Sequence, residues 1–176
     1  ARDDNGWTPL LYAARQNRNP DVVAELLKAG SDIGARSADG LSSLMNAGRK
    51  SFRPKIISHL LKAGADVNAA DENGWTALMF AVRYKSNPGI VSALLEGGPD
   101  LELRDKKDGW TALMHAAGNS SKEEISAPEV ISALLQAGAD TKARDRDGRT
   151  ALDIAKVNEK IYQTSGYWDL NDATYK

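Results

Sequence analysis

The chain has 176 residues and a formal net charge of −1, from 23 Lys+Arg against 24 Asp+Glu. Length alone favours one domain or two small ones, the near-neutral balance argues against a nucleic-acid binder driven by bulk positive charge, and no apolar run is long enough to cross a bilayer. No Cys is present, which excludes disulfides, zinc–thiolate sites and cysteine nucleophiles and fits an exported protein better than a thiol-rich cytosolic one, without fixing the compartment.

In chain order, one pattern returns. Gly-x-Thr/Ser occurs at Gly6, Gly40, Gly74, Gly109 and Gly148, in steps of 34, 34, 35 and 39 residues. Leu26-Leu27, Leu60-Leu61, Leu94-Leu95 and Leu134-Leu135 each precede a glycine (Gly30, Gly64, Gly98, Gly138), and Pro20, Pro54, Pro88 and Pro128 keep the same steps. Three markers with one period define a tandem array. The expectation is a single domain over 1–176 made of units at about 3–36, 37–70, 71–104, 105–144 and 145–176.

Each unit predicts two helices. Thr8, Ser42, Thr76, Thr111 and Thr150 stand where a side-chain oxygen caps the first free amides of a helix. Asn19-Pro20 and Asn87-Pro88 read as a cap and first residue of a second helix, with Arg53-Pro54 and Ala127-Pro128 as poorer versions. Val22, Val23, Leu26 and Leu27 fall at helical spacing and predict a buried face. The closing glycines suit a left-handed C-terminal residue. An extended turn or hairpin then leads into the next unit.

The fourth unit gains a residue in its hairpin, at Lys106-Lys107, and about five between its helices, within 118–124. Such insertions map to loops. The fifth unit loses the Leu-Leu signature, and Ser165 or Thr164 is expected to cap a short last helix whose Tyr167 and Leu170 cover the end of the array. The N-terminal unit shows no matching polar conversion, so more chain or a partner is expected over that end. The start at Ala1 rather than Met suggests a processed form or fragment, and no signal peptide is visible.

The motifs Thr8-Pro9-Leu10, Ala13-Ala14, Leu26-Leu27 and Gly64-Ala65-Asp66-Val67-Asn68-Ala69, returning at this period, resemble the ankyrin repeat family over residues 3 to about 163. The resemblance implies an all-α ankyrin-repeat solenoid of five stacked helix-turn-helix units with β-hairpin-like connecting loops. The Trp after the hairpin Gly looks like bacterial members. The family often has His after Thr-Pro-Leu. Here that place holds Leu11, Met45, Met79, Met114 and Asp153, so the hydrogen bond of that His is expected to be absent and an apolar contact to replace it.

A search for chemistry finds little. His59 and His115 read as helix-face histidines with no metal-ligand spacing nearby. No phosphate-cradling loop or nucleophile elbow occurs. Asp145-Arg146-Asp147-Gly148 resembles a calcium loop only superficially, because the first ligand would fall on Ala143. The recurring carboxylates Asp71, Asp105 and Asp145 at the hairpin entries, and Asp32, Asp66, Asp100 and Asp140 after each helix pair, read as turn-holders that accept backbone N–H bonds. Asn119-Ser120-Ser121 satisfies a glycosylation sequon and carries little weight. No enzyme activity, cofactor or metal is expected.

The resemblance implies partner contacts at the two residues before each hairpin Gly (Asn73 among them), at the residue after it, and at the end of each first helix. Trp7, Trp75 and Trp110 share one slot, either as interface anchors or as packing that stiffens the stack. Arg15, Arg49, Lys50, Arg83 and Lys85 form a cationic row, either attracting an acidic partner or offsetting helix dipoles. The expected contact set is Trp7, Trp75, Trp110, Arg15, Arg49, Arg83, Tyr84 and Asn73. The implied function is a non-enzymatic scaffold that binds another protein through a concave groove, as a monomer, without nucleic acid or membrane insertion. The competing reading is an accessory module of a larger polypeptide that positions or inhibits an attached enzyme.

Overall fold

The computed structural model of the chain describes residues 1–16, 18–50, 53–84, 87–119, 127–158 and 165–175. Among these residues there are ten helices: α1 (Pro9–Gln16), α2 (Pro20–Lys28), α3 (Ser43–Lys50), α4 (Pro54–Lys62), α5 (Ala77–Tyr84), α6 (Pro88–Leu95), α7 (Ala112–Ala117), α8 (Ala127–Gln136), α9 (Ala151–Lys156) and α10 (Ser165–Tyr175). The helices form two rows. α1, α3, α5, α7 and α9 each pack on the next, as do α2, α4, α6, α8 and α10, and each odd helix also packs on the even helix after it.

The caps explain the helix starts. Thr8, Ser42, Thr76, Thr111 and Thr150 each accept a hydrogen bond from the backbone N–H three residues on, at 3.2–3.4 Å. Asn19 and Asn87 accept from Asp21 and Gly89 at 3.0 Å. Arg53 makes no side-chain cap bond. Ala127 lies inside α8 rather than before it.

The closing glycines Gly30, Gly64, Gly98 and Gly138 take φ of 79, 87, 65 and 92°, as expected. Between units the chain makes tight loops rather than strands. Among the described residues only two isolated antiparallel bridges form, Arg36 with Ser42 and Ala70 with Thr76.

The core runs along the array between the two rows. Leu10, Leu44, Leu78, Leu113 and Leu152 fill it from the odd helices, and Ile56, Leu60, Ile90, Leu94, Val130 and Leu134 from the even ones. Fully burying each such side chain contributes roughly 1.5–3 kcal/mol. Small residues set the row spacing. Gly48 of α3 faces α5 so closely that a Cβ there would lie 2.5 Å from the Ala77 carbonyl oxygen.

Two expectations about the ends need correction. In α2 only Val23 is fully buried, whereas Val22 is exposed and Leu26 and Leu27 are half-buried. The physical reason is that α2 packs on α4 on one side only. The last helix is not short. α10 has 11 residues, more than any other described helix, and Ser165 is its first residue, while Thr164 lies outside the described residues. Tyr167 and Leu170 are buried as expected, and Gly166 lets α10 approach α8 until a Cβ would meet Pro128 at 2.6 Å.

Candidate functional site

The surface that brings the expected contact residues together is built from the loop tips and the odd helices. Each loop is organised by its entry residue. Asp3, Asp71 and Asp145 use Oδ1 to accept the backbone N–H of the residues two and four further on, at 2.7–3.0 Å. Asp105 accepts three such amides, from Lys107, Asp108 and Gly109, which absorbs the extra residue of that loop. In the second loop Ser37 takes the place, its Oγ bonding the Leu41 amide at 3.3 Å. The turn-holder reading of these carboxylates therefore holds. So it does for Asp32, Asp66, Asp100 and Asp140, each of which caps the amide two residues on.

Neighbouring loops are stitched by backbone bonds from Ala38 N to Asn5 O, Lys106 N to Asn73 O and Arg146 N to Asp108 O. Asn73 thus lends its backbone to the stack while its side chain stays exposed at a tip. Gly74 shows why the loop needs glycine: its φ is 80°, and a Cβ would sit 2.8 Å from the Arg104 carbonyl oxygen of the next loop.

The second carboxylate oxygen reaches a helix. Tyr12 Oη donates to Asp3 Oδ2 at 2.8 Å, and His115 Nε2 lies 2.8 Å from Asp105 Oδ2. The second is a close polar contact rather than a well-aligned hydrogen bond. Tyr12, Asn46, Phe80, His115 and Ile154 occupy one equivalent position of α1, α3, α5, α7 and α9, a row that reasoning from the sequence did not single out. The signal was available, since all five sit three residues after the start of their helix, α1, α3, α5, α7 and α9 in turn.

His115 is therefore not a plain helix-face residue. It is 3% exposed, with Trp75 at 4.4 Å and Trp110 at 5.3 Å between ring centroids. Burial pushes its pKa below the ordinary 6.5, against the opposing pull of Asp105. The imidazole is thereby favoured in its neutral form. Asp145 is also buried. Burial works to raise its pKa, but hydrogen bonds from Arg149 and from the Trp110 indole outweigh it and hold the carboxyl below its usual value.

The three tryptophans are half-buried and each is used in packing. Trp7 lies 5.0 Å from Tyr12. Trp75 packs on Phe80 at 5.2 Å and near Tyr84 at 6.1 Å. Trp110 closes over Gly118, where a Cβ would collide with its ring at 2.6 Å. At the equivalent place Leu41 is buried and Arg149 exposed, so the slot is not uniform. Among the cations, Arg15 stacks over Trp7 at 5.1 Å, and Arg49 over Tyr84 at 5.3 Å and Phe80 at 5.9 Å. Among the described residues Arg15, Arg49, Lys50 and Arg83 form no ion pair. Lys85 and most of the unit-four insertion, from 120 on, lie outside the described residues.

Two further expectations change. Asn119, which follows α7 at a first-helix end where the resemblance implies contacts, is buried and donates to the Val82 carbonyl at 2.9 Å, so it ties α7 to α5. The missing hydrogen bond after Thr-Pro-Leu is partly replaced. Met45 Sδ accepts from the Ser42 amide at 3.4 Å, and Asp153 completes a reciprocal capping box with Thr150. The other occupants, Leu11, Met79 and Met114, are buried as apolar contacts. No group of three or more His, Asp or Glu among the described residues is placed to hold a metal, and no described helix is long and apolar enough to cross a membrane.

Two packed rows of short helices, joined by stitched loops and repeating along one axis, define a helical-repeat protein that is all-α. The family model for ankyrin repeats (3 copies) matches at residues 10–105, 44–145 and 85–163, and the chain belongs to the ankyrin repeat family. Members of this family are generally non-enzymatic protein–protein interaction modules. A comparison with curated proteins finds no match to this chain.

Proposed function

We propose that the face formed by the loop tips and the odd helices is a groove that binds a partner protein, on an array of five units with the bounds given above. One observation carries this reading. Arg15, Arg49, Lys50 and Arg83 stand along that face without ion pairs among the described residues, and two of them are held against aromatic rings. Aromatic and arginine side chains grouped on one surface are the usual anchors of an interface. Trp75 and Trp110 contribute mainly by supporting the face, whereas Tyr84, Arg83 and Arg49 are the side chains available to a partner.

The test is affinity capture from native cell lysate, using the wild type and a double Arg83→Ala/Tyr84→Ala variant. Captured protein should fall at least about tenfold for the variant, the loss of about 1.4 kcal/mol, with its circular dichroism and melting unchanged. Equal capture by a folded variant refutes the assignment of the face.

A second reading is an accessory module packed on a further domain. It is favoured by the open side of α1 and α2, where Pro9, Tyr12, Ala13, Val22 and Leu26, with Gln16 and Arg18, line a shallow, open depression. Partner loss on substituting Tyr12 and Val22, with none on substituting Arg83 and Tyr84, would select it.

A further inference from the structure

The cationic row has a spacing as well as a sign. Arg15, Arg49 and Arg83 are each the seventh residue of an eight-residue helix, α1, α3 and α5. Those helices pack in sequence, and packed helices lie about 8–10 Å apart, so the three positions recur at that interval. Stacking holds Arg15 over Trp7 and Arg49 over Tyr84 and Phe80. Arg49 Nε is buried without a hydrogen-bond partner, so the donors that a guanidinium placed over these rings leaves for a carboxylate are its terminal N–H groups. Offsetting a helix dipole needs only nearness to the last carbonyls. It does not need Arg49 of α3 to lie on the rings of α5.

A partner chain must present its carboxylates at the same interval. A β-strand returns to one face about every 6.6 Å, which is too short, or about every 13 Å, which is too long. An α-helix returns after seven residues at about 10.5 Å, just beyond the range, and its nearer same-face neighbours, three and four residues apart, are separated by only about 5–6 Å. A polyproline-II chain returns to the same face every third residue, a rise of about 9.3 Å. Such chains also dock on aromatic surfaces, and here Trp75 and Tyr84 lie within the row, Tyr84 being 48% exposed.

We propose that this row takes an acidic polyproline-II segment of a partner protein, with carboxylates at every third residue on Arg15, Arg49 and Arg83 and the intervening residues against the exposed Tyr84. The proposal rests on the groove reading above and adds the chemistry and register of its ligand.

The first experiment is fluorescence anisotropy with a labelled peptide carrying three Glu separated by Pro-Pro pairs. A second peptide has the same composition with the three Glu adjacent, and a third has Gln for Glu. Expected are saturable binding of the first, binding at least about fivefold weaker for the second, and a further loss for the third. Raising the salt weakens the first peptide most, because exposed charges are screened. Arg49→Ala and, separately, Arg15→Ala each weaken it about fivefold while circular dichroism shows the fold retained, as expected for loss of a partly exposed ion pair. Equal binding of the first two peptides, or no binding of the first at millimolar concentration, overturns the proposal.

The second experiment selects a phage-displayed random peptide library on the wild type and rescreens the winners on Arg83→Ala/Tyr84→Ala. Winners with acids at every third residue that fail on the variant support the proposal. Winners that fail on the variant but lack that pattern overturn the proposal and leave the groove standing. Winners indifferent to the variant remove the groove and the proposal with it.

Discussion

At the scale of single residues, His115 is the most informative position. Its folded pKa lies below 6.5 because burial outweighs Asp105, while Arg83 and Asp108 act on it more weakly. A histidine with a lowered folded pKa contributes stability that is present above its unfolded value, about 6.5, and lost as pH falls through the folded value. Urea midpoints should therefore decline as pH drops from 7 toward 5. A His115→Phe variant, placing there the residue that Phe80 already is in α5, should show a flatter slope over that window whatever its absolute stability. Asp145 and Asp153 are held below the ordinary carboxylate value of 3.8, so their contribution is lost only below that pH and forms a second, separate decline in both proteins. An unchanged slope in the upper window for the variant would refute the assignment. Gly48 gives a steric counterpart. Gly48→Ala puts a Cβ against the Ala77 carbonyl oxygen, and overpacking of this kind costs about 1–3 kcal/mol, visible as a lower urea midpoint at constant slope, although Ala is ordinarily the better helix former.

At the scale of the element, a helix in this array is defined chiefly at its N-terminus. Asn19 and Asn87 each satisfy an amide of the helix they precede, and Asn→Ala at either should lower stability by about 1 kcal/mol. α4 starts without such a side-chain bond and is instead carried by the fully buried Ile56, Ile57 and Leu60. Loss of a cap and loss of packing are thus different vulnerabilities in otherwise equivalent helices. The loops work the same way: one carboxylate both closes the turn and, at Asp3 and Asp105, meets the helix that follows. Asp105→Asn keeps the acceptor for the three amides but removes the charge beside His115. The His115 pKa should then fall further, measurable by NMR titration of its ring protons.

At the scale of the whole molecule, contacts run between neighbours along the array, so damage should stay local. Leu170 is fully buried where α10 covers α8. Leu170→Ala should cost about 2–5 kcal/mol at that end, and hydrogen exchange should speed up in α8 and α10 while amides of α1 and α3 keep their protection. Uniform loss of protection along the chain would mean a single cooperative unit instead. The same nearest-neighbour geometry makes the cationic row possible, because a residue repeated every 34 positions becomes a line in space only when identical helices stack.

The order of helices, the Thr, Ser42 and Asn caps and the closing glycines were legible in the sequence, because these are local backbone requirements that Thr, Ser, Asn, Pro and Gly meet within a few residues, whereas Arg53 forms no cap bond, and Ala127 and Ser165 lie inside the helices they were expected to cap. So was the role of the loop carboxylates, which bond amides two to four positions away. What the tertiary structure decided is which member of each repeated position is covered, since that depends on a neighbour 34 or more residues distant. The slot after the loop glycine holds a half-buried Trp75, a buried Leu41 and an exposed Arg149. His115 looked like any helix-face residue until Trp75, from the preceding unit, closed over it. Arg49 became a stacked, unpaired cation only through Phe80 and Tyr84 of the next one. Periodicity fixes the places, and burial by non-local partners assigns each place its chemistry.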